Sequence, residues 1–314
     1  MIDAVRELFK QPFWVIALVL GVFLIAFPCV TIDKDFHWSP HSPSTVLPVV
    51  AGATTVLLAT ALFAFTLWKR FNQEALVVGG VDLARVSEIG DVLSTVVSGC
   101  ELRVLEGRIE EYAVEPGEVI VLPCNEYFDD ECAGDTRSVL GAYVNRAFEG
   151  RVDQFVALVR AECQRRFGAG IRLEKTANDL AESFGPGKCI LLTKPLGRST
   201  PVALVSTTTQ RANQGLAARI SYMFDGMKEL ISALADARLG EVVMPVMGAG
   251  HGRIDAPLAF VGLLLAVAEA ARYGQGGQRL TRATIVVFRR DSSTPGQVDK
   301  ILIRRALALV SSGG

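Results

Sequence analysis

Histidine is scarce in this sequence. His37, His41 and His251 are the only three in 314 residues, too few for a histidine-rich metal centre. Cysteine is present but unorganised. Among Cys29, Cys100, Cys124, Cys132, Cys163 and Cys189 there is no CxxC pair and no Cys/His cluster with zinc spacing, so buried free thiols are expected and a structural metal is not. A surplus of either charge is also missing. Thirty-two basic and 33 acidic residues leave a formal net charge of -1, and without a dense basic patch nucleic acid is not an expected partner.

The most informative absence is local. No charged residue interrupts QPFWVIALVLGVFLIAFPCVTI between Lys10 and Asp33, or VLPVVAGATTVLLATALFAFTLW from Val46 to Trp68. A helix rises 1.5 Å per residue, so about 20 apolar residues cross a hydrocarbon layer of about 30 Å. Both runs are long enough. A cleaved signal peptide is the alternative for the first, but it ends in Phe27-Pro28-Cys29-Val30 with no small-residue cleavage site. A buried soluble helix is the alternative for the second, which shows no polar face. Two spanning helices, over residues 12–30 and 46–68, are therefore expected. Trp14, Trp38 and Trp68 lie near their ends, where indoles favour the interface. Arg6 and Lys10 precede the first run, Lys69 and Arg70 follow the second, and Lys34 alone lies between. That asymmetry places both termini in the cytoplasm and the protein in the inner (cytoplasmic) membrane, with residues 31–45 outside. Gly52, Ala53, Ala59, Ala61 and Ala64 would let the second helix pack closely. Neither run carries an ionisable residue, so a selective ion pathway has no support.

Beyond Arg70 the hydrophobic period alternates. Residues 71–100 mix glycine with helical spacing and read as a linker helix. ELRVLEGRIEEYA alternates as a strand does, EVIVLPCN is a wholly apolar run, and VDQFVALVRAECQRRF returns to helical spacing. KCILLTKP and PVALVSTTT read as strands, a turn at the threonines being the alternative end for the second. A long amphipathic helix then precedes the strand EVVMPVM. PLAFVGLLLAVAEAARYG resembles a third span in apolarity, but Glu269, Arg272 and its place in the alternation make it a buried helix. RATIVVFRR and VDKILIRRALALVSS close as strand and helix. Strands alternating with helices predict a three-layer α/β/α domain with a mixed sheet over residues 101–314, behind the N-terminal transmembrane helical hairpin of residues 1–70.

In open α/β sheets ligands collect at the carboxyl ends of the strands. Two expected loops there are unusual. PCNEYFDDECAGDTRSVLGAYV follows one apolar strand, and Gly248-Ala249-Gly250-His251-Gly252-Arg253 follows another. Three glycines let backbone amides approach a pyrophosphate, and a helix starting near Pro257 adds its amino end. Each feature has a plainer reading: a tight turn for the glycines, a loop-packing residue for His251, a turn former for Asn125. Their combination on strand ends is what singles them out.

These residues resemble the macro domain family. LEGRIEEYAVEPGEVIVLPCNEYFDDECAGDTRSVLGAYV is similar to the family's opening, and PVMGAGHGRIDAP to its diphosphate loop, over roughly Leu102 to Val310. The resemblance implies binding of ADP-ribose or a derivative. It places Asn125 at the distal ribose, Gly134, Asp135, Thr136, Arg137 and Ser138 in the loop beside it, and Gly248, Ala249, Gly250, His251, Gly252 and Arg253 around the diphosphate. Where the family carries an acidic residue for adenine, the turn reads Gly107-Arg108-Ile109-Glu110, leaving Glu110 as a substitute. AGDTRS replaces the usual glycine triplet, and Glu126, Asp129, Asp130, Glu131 and Asp135 crowd the first loop. They would repel a simple anion and suit a ligand with a cationic extension.

More narrowly, two membrane helices before a macro-like domain resemble the membrane effectors of Thoeris antiphage systems. That resemblance implies an ADP-ribose-type messenger made by a TIR-domain partner, histidine-linked in the type II systems. It also implies homo-oligomers and a lipid bilayer as the target. No cofactor or metal is expected, and no catalysis. The competing expectation is a membrane-tethered ADP-ribosyl hydrolase in which Asn125 and Asp135 orient a water.

Overall fold

The structure is a computed structural model that describes residues 83–176, 179–211, 215–274, 279–288 and 297–312. The two uncharged runs, their orientation and the first part of the linker lie outside the described residues. Among the described residues no helix is long and apolar enough to cross a membrane.

The linker is not a helix where it is described. After a 3-10 turn at Leu83–Arg85 the chain forms strands β1 (Ser87–Ile89) and β2 (Val92–Val97), which pair antiparallel. The reason is local. Gly90 supplies a φ of +59° between them, while Ser98 and Gly99, both with positive φ, make the two-residue hairpin turn into β3 (Cys100–Glu106). Alternation along β2 then buries Leu93, Thr95 and Val97. The compact unit that holds the described residues spans Val81–Gly314.

The remaining elements are β4 (Glu118–Asn125), α1 (Asp130–Gly134), α2 (Val139–Ala147), α3 (Val152–Phe167), β5 (Ile171–Thr176), β6 (Asp179–Ser183) and β7 (Cys189–Leu192). They continue as β8 (Val202–Arg211), β9 (Gly215–Ala218), α4 (Ile220–Ala237), β10 (Glu241–Pro245), α5 (Ala256–Arg272), β11 (Arg282–Val287) and α6 (Lys300–Ser312). The large sheet runs β1-β2-β3-β11-β10-β4-β8-β7, with β9 on β8. β3, β11, β10, β4 and β8 are parallel; β1, β2, β7 and β9 join antiparallel. β8 continues as one strand through its threonines to Arg211.

The central strands are buried on both faces, which is why they read as unbroken apolar runs. Val119 and Val121 of β4 belong to one core with Met223, Leu230, Phe260, Leu263 and Leu307 of α4, α5 and α6. Ile120 and Leu122 belong to the opposite core with Val144, Phe155 and Val159 of α2 and α3. This is the expected α/β/α sandwich with a mixed sheet. The apolar helix α5 is one of its layers and buries Phe260, Leu263, Leu264 and Val267.

The β5–β6 hairpin is a sheet of its own that sequence patterning did not separate. Phe167 and Phe184, at its two flanks, pack with Phe128 at ring-centroid distances of 5.9 to 6.3 Å. That aromatic contact seats the hairpin beside the end of β4.

Candidate functional site

β4 and β10 are parallel neighbours, so the loops that follow them leave the same sheet edge side by side. β4 ends in a register shift: Cys124 pairs with Ser206 and Asn125 with Thr208, leaving Thr207 as the extra residue. There Asn125 is fully buried. Its Oδ1 accepts from the Tyr127 amide at 3.0 Å and its Nδ2 donates to Asp129 Oδ1 at 3.0 Å. The side chain that the family resemblance sends to a ribose is thus enclosed, and it fastens the turn.

Ser138 caps α2. Its Oγ accepts from the Gly141 amide and donates to the Cys132 carbonyl. The turn beside it is tight enough that a Cβ on Gly141 would stand 2.1 Å from the Asp135 carbonyl oxygen. Arg137 wraps back on Asp135, its amide and Nε donating to Oδ1 at 2.9 Å each and its Nη2 to Oδ2 at 3.1 Å. These bonds hold the Asp135 carboxyl down at about 2. Gly134 and Thr136 are exposed beside it.

The crowd of acids is compensated from within. Glu126 is buried and accepts from Ser183 Oγ at 2.7 Å and from the Gln210 amide at 3.1 Å. Lys175 of β5, itself buried, places Nζ 2.6 Å from Asp129 Oδ2 and 2.5 Å from Glu131 Oε2. Burial opposes the ammonium, but the hydrogen bonds to Asp129 and Glu131 outweigh it and raise the Lys175 pKa. Glu126, Asp129 and Glu131 are thus engaged within the fold, while Asp135 is held by Arg137 and stands 3.9 Å from His251. Lys175 was missed because the hairpin carrying it was missed; the short alternations IRLEKT and DLAES were the available signal.

In the second loop the glycines divide. Gly248 has a φ of +81°, and a Cβ there would meet Met223 Cε at 2.8 Å. A Cβ on Gly252 would meet Ala218 Cβ at 2.6 Å and the Gly248 carbonyl oxygen at 2.7 Å. The fold itself therefore demands both, for β9 is stitched to the loop by the Ala218 amide on the Gly252 carbonyl. Gly250 is different: its φ is not left-handed and no described atom would touch its Cβ within 4 Å. Gly134, across in the first loop, shares both properties. The Arg253 and Ile254 amides are used on the Gly250 and Gly248 carbonyls, but no hydrogen bond among the described residues is donated by the Ala249, Gly250, His251 or Gly252 amide. Ala249 packs on the core, while His251 and Arg253 are exposed. His251 Nε2 stands 3.9 Å from Asp135 Oδ2, the contact that brings the two loops together.

One more group lies along the same edge. Arg108, just after β3, stacks its guanidinium over Phe288, just after β11, at 5.0 Å from the ring centroid. Phe288 is 55% exposed. Glu110 pairs with Arg108 at 3.5 Å and so already has a cation. Sequence reading missed Phe288, whose exposure at a strand end is a tertiary property.

Among the described residues the thiols are inert by environment. Burial pushes Cys100, Cys163 and Cys189 up to about 12, and Cys132 up to about 11. Native protein at pH 8 should leave these four almost unalkylated by iodoacetamide over an hour, with stoichiometric labelling once urea unfolds the chain. Peptide mass spectrometry reads the outcome.

The sequence profile of the family described as Thoeris protein ThsA, Macro domain, matches residues 114–287, more than half of the chain. Among solved structures, the Oceanobacillus iheyensis macrodomain with ADP is 13% identical, with a TM-score of 0.45 over 63% of this chain and 89% of that one. The macrodomain of Thermus aquaticus DarG is 20% identical, with a TM-score of 0.36 over 59% and 97%. The Trypanosoma brucei macrodomain in complex with ADP is 13% identical, with a TM-score of 0.41 over 67% and 68%. Nothing among curated proteins matches. On the profile match, laid over the sheet order and the paired loops described above, this chain belongs to the family of the Thoeris protein ThsA macro domain.

Proposed function

We propose that this protein is a sensor and membrane effector of antiphage defence. On this reading its macro domain binds an ADP-ribose-derived messenger, histidine-linked in the form the sequence resemblance implies, made from NAD by a TIR-domain partner. Binding then promotes self-association that breaches the membrane holding residues 12–30 and 46–68. The observation that carries the binding site is the pair Gly134 and Gly250. Neither position has an internal need for glycine, through a left-handed backbone or a close packing contact. Gly134 at the end of α1 and Gly250 in the loop after β10 leave open surface that a ligand can approach closely.

The sheet order supports a direction for the ligand. From β3 and β11 through β10 to β4 there are three inter-strand steps of about 4.8 Å, roughly 14 Å in all. The Arg108–Phe288 stack stands at one end of that span and the Asp135 loop at the other, with the amides of Ala249 to Gly252 between. A base on the stack, a diphosphate on the amides and the distal ribose by Asp135 occupy it in order. Binding without turnover is the better-supported activity, because Asn125 is buried and its amide already donates to Asp129. A residue that orients a hydrolytic water needs a face toward the substrate.

The test uses the full chain in dye-loaded liposomes of bacterial phospholipid. ADP-ribose conjugates are expected to bind by calorimetry and to release dye, with no ADP-ribose hydrolysis products by mass spectrometry. Binding without leakage or any change in oligomer size would remove the effector role and keep the sensor. Release of free product that stops on Asn125→Ala would replace the sensor with a hydrolase.

A further inference from the structure

Of the 17 residues of α5 only Glu269 and Arg272 are charged, and a helix apolar on every side is normally buried on every side. In the single chain it is not. Leu258 is 53% and Leu265 41% exposed on its outer face, in line with Glu269 at helical spacing, and Tyr273 at its end is 75% exposed. Between α5 and α4 the same surface opens into a cavity of about 270 Å³. Phe224, Met227 and Tyr273 line it together with three charged side chains, Asp225, Lys228 and Glu269, all exposed. Glu229, one position along α4, takes both nearby cations, Arg166 and Lys188, at 3.4 Å each. No ion pair among the described residues engages Asp225, Lys228 or Glu269.

The charges select the occupant. Two unpaired carboxylates beside the apolar stripe repel an anionic lipid surface, and an unpaired ammonium in the same cavity repels a small cation. A surface carrying both signs next to exposed leucine and aromatic side chains is complementary to itself. A two-fold axis midway between positions 225 and 228 lays α4 antiparallel on its copy. Each Asp225 then meets the Lys228 of the second copy, with Glu269 beside it as a further acceptor.

Resting on the self-association in the reading above, we infer that the α4–α5 groove is the surface through which two copies of this chain meet in a two-fold dimer, keyed by Asp225, Glu269 and Lys228. Its place in the fold also ties it to the loop after β10. α4 starts two residues after Ala218, whose amide donates to the Gly252 carbonyl at 3.0 Å, and α5 starts three residues after Arg253. The two helices meet just beyond, where a Cβ on Gly262 would stand 3.0 Å from Ile220 Cγ2. A ligand on that loop therefore acts on the first turns of both walls of the groove. It favours the dimer to the extent that the dimer holds it more tightly than the single chain does.

The experiment uses full-length protein in detergent micelles, with sedimentation for size and calorimetry for binding of ADP-ribose and its histidine-linked conjugate. Thermal melts of each variant check folding. The unmodified chain with conjugate should sediment as a dimer or a multiple of it. Lys228→Glu, and separately Asp225→Lys combined with Glu269→Lys, should each weaken association at least about ten-fold, since like charges then face each other. Both should still bind the conjugate. An equimolar mixture of the two variants should recover association, because an acidic groove then meets a basic one. Association that survives in either variant alone, or a mixture of folded variants that stays monomeric, overturns the inference and leaves the sensor reading intact. An unmodified chain that binds the conjugate and remains a monomer overturns it as well. Failure to bind either nucleotide overturns the nucleotide reading alone, and the variants and their mixture then decide the groove.

Discussion

Gly250→Val should leave the thermal transition of the protein within a degree or two of its original value and abolish binding of ADP-ribose, a loss of at least 100-fold in affinity. Both halves come from the same geometry. The backbone at Gly250 is outside the left-handed region and a Cβ there touches no described atom within 4 Å, so the first atom of a side chain is accommodated without displacing a neighbour. The same side chain projects where a diphosphate must come within hydrogen-bonding distance of the neighbouring amides, about 2.9 Å from each nitrogen. It holds the anion away by more than an ångström, and those bonds are lost. Gly252→Val is the contrasting variant. Its Cβ would fall 2.6 Å from Ala218 Cβ and 2.7 Å from the Gly248 carbonyl oxygen, so it should lose binding and stability together. If Gly250→Val binds ADP-ribose normally, the loop is a structural turn and the diphosphate site lies elsewhere.

Lys175→Met should lower stability by about 3–5 kcal/mol, the usual cost of leaving one partner of a buried ion pair unpaired. For a unit of this size that is a fall in Tm on the order of 10 °C. The side chains of Lys175 and Asp129 are 9% and 12% exposed, with Nζ 2.6 Å from Oδ2. Removing the ammonium leaves a nearly buried carboxylate with Asn125 Nδ2 as its remaining described partner. The double variant Lys175→Met, Asp129→Asn removes both charges and should recover most of the loss, because a neutral amide can still accept from Asn125. The pH dependence follows in sign. A lysine whose folded pKa is raised contributes stability that is fully present below its unfolded value, about 10.4, and lost as pH rises through the folded one. As pH rises above about 10.4 the unmodified chain should therefore lose stability that Lys175→Met does not lose. Equal alkaline slopes for the two proteins would mean that Lys175 carries no such share.

These two residues show where legibility stopped. The apolar runs of β4, β10 and β11 and the helical spacing of α3, α4 and α5 gave the sandwich, because strands covered on both faces have little choice but to be continuously hydrophobic. The loop after β10 was recognisable from its glycines, but their three different roles were not. Whether a glycine serves a left-handed backbone, a packing contact or open space depends on neighbours such as Met223 and Ala218, more than twenty residues away in the chain. Residues 87–97 were misread for a related reason. Glycine and serine at the turns were counted into a helical period, whereas their positive φ angles make hairpins.

The chemistry of the first loop was distorted in the same way. Five acids in one short stretch look like a cation-binding surface when only the stretch is in view. Lys175 arrives from 46 positions beyond Asp129, and Ser183 from 57 beyond Glu126, on a hairpin whose alternation is too short to stand out.

By itself the sequence determined the layer architecture, the place of both loops at strand ends and the two uncharged runs of membrane length, since each follows from hydrophobic period and charge along the chain. Tertiary structure alone decided which polar groups are spent and which remain, because burial and hydrogen-bond pairing are set by residues far apart in sequence. It closed Asn125, set Lys175 against Asp129 and Glu131, and left Asp135 facing His251 of the neighbouring loop.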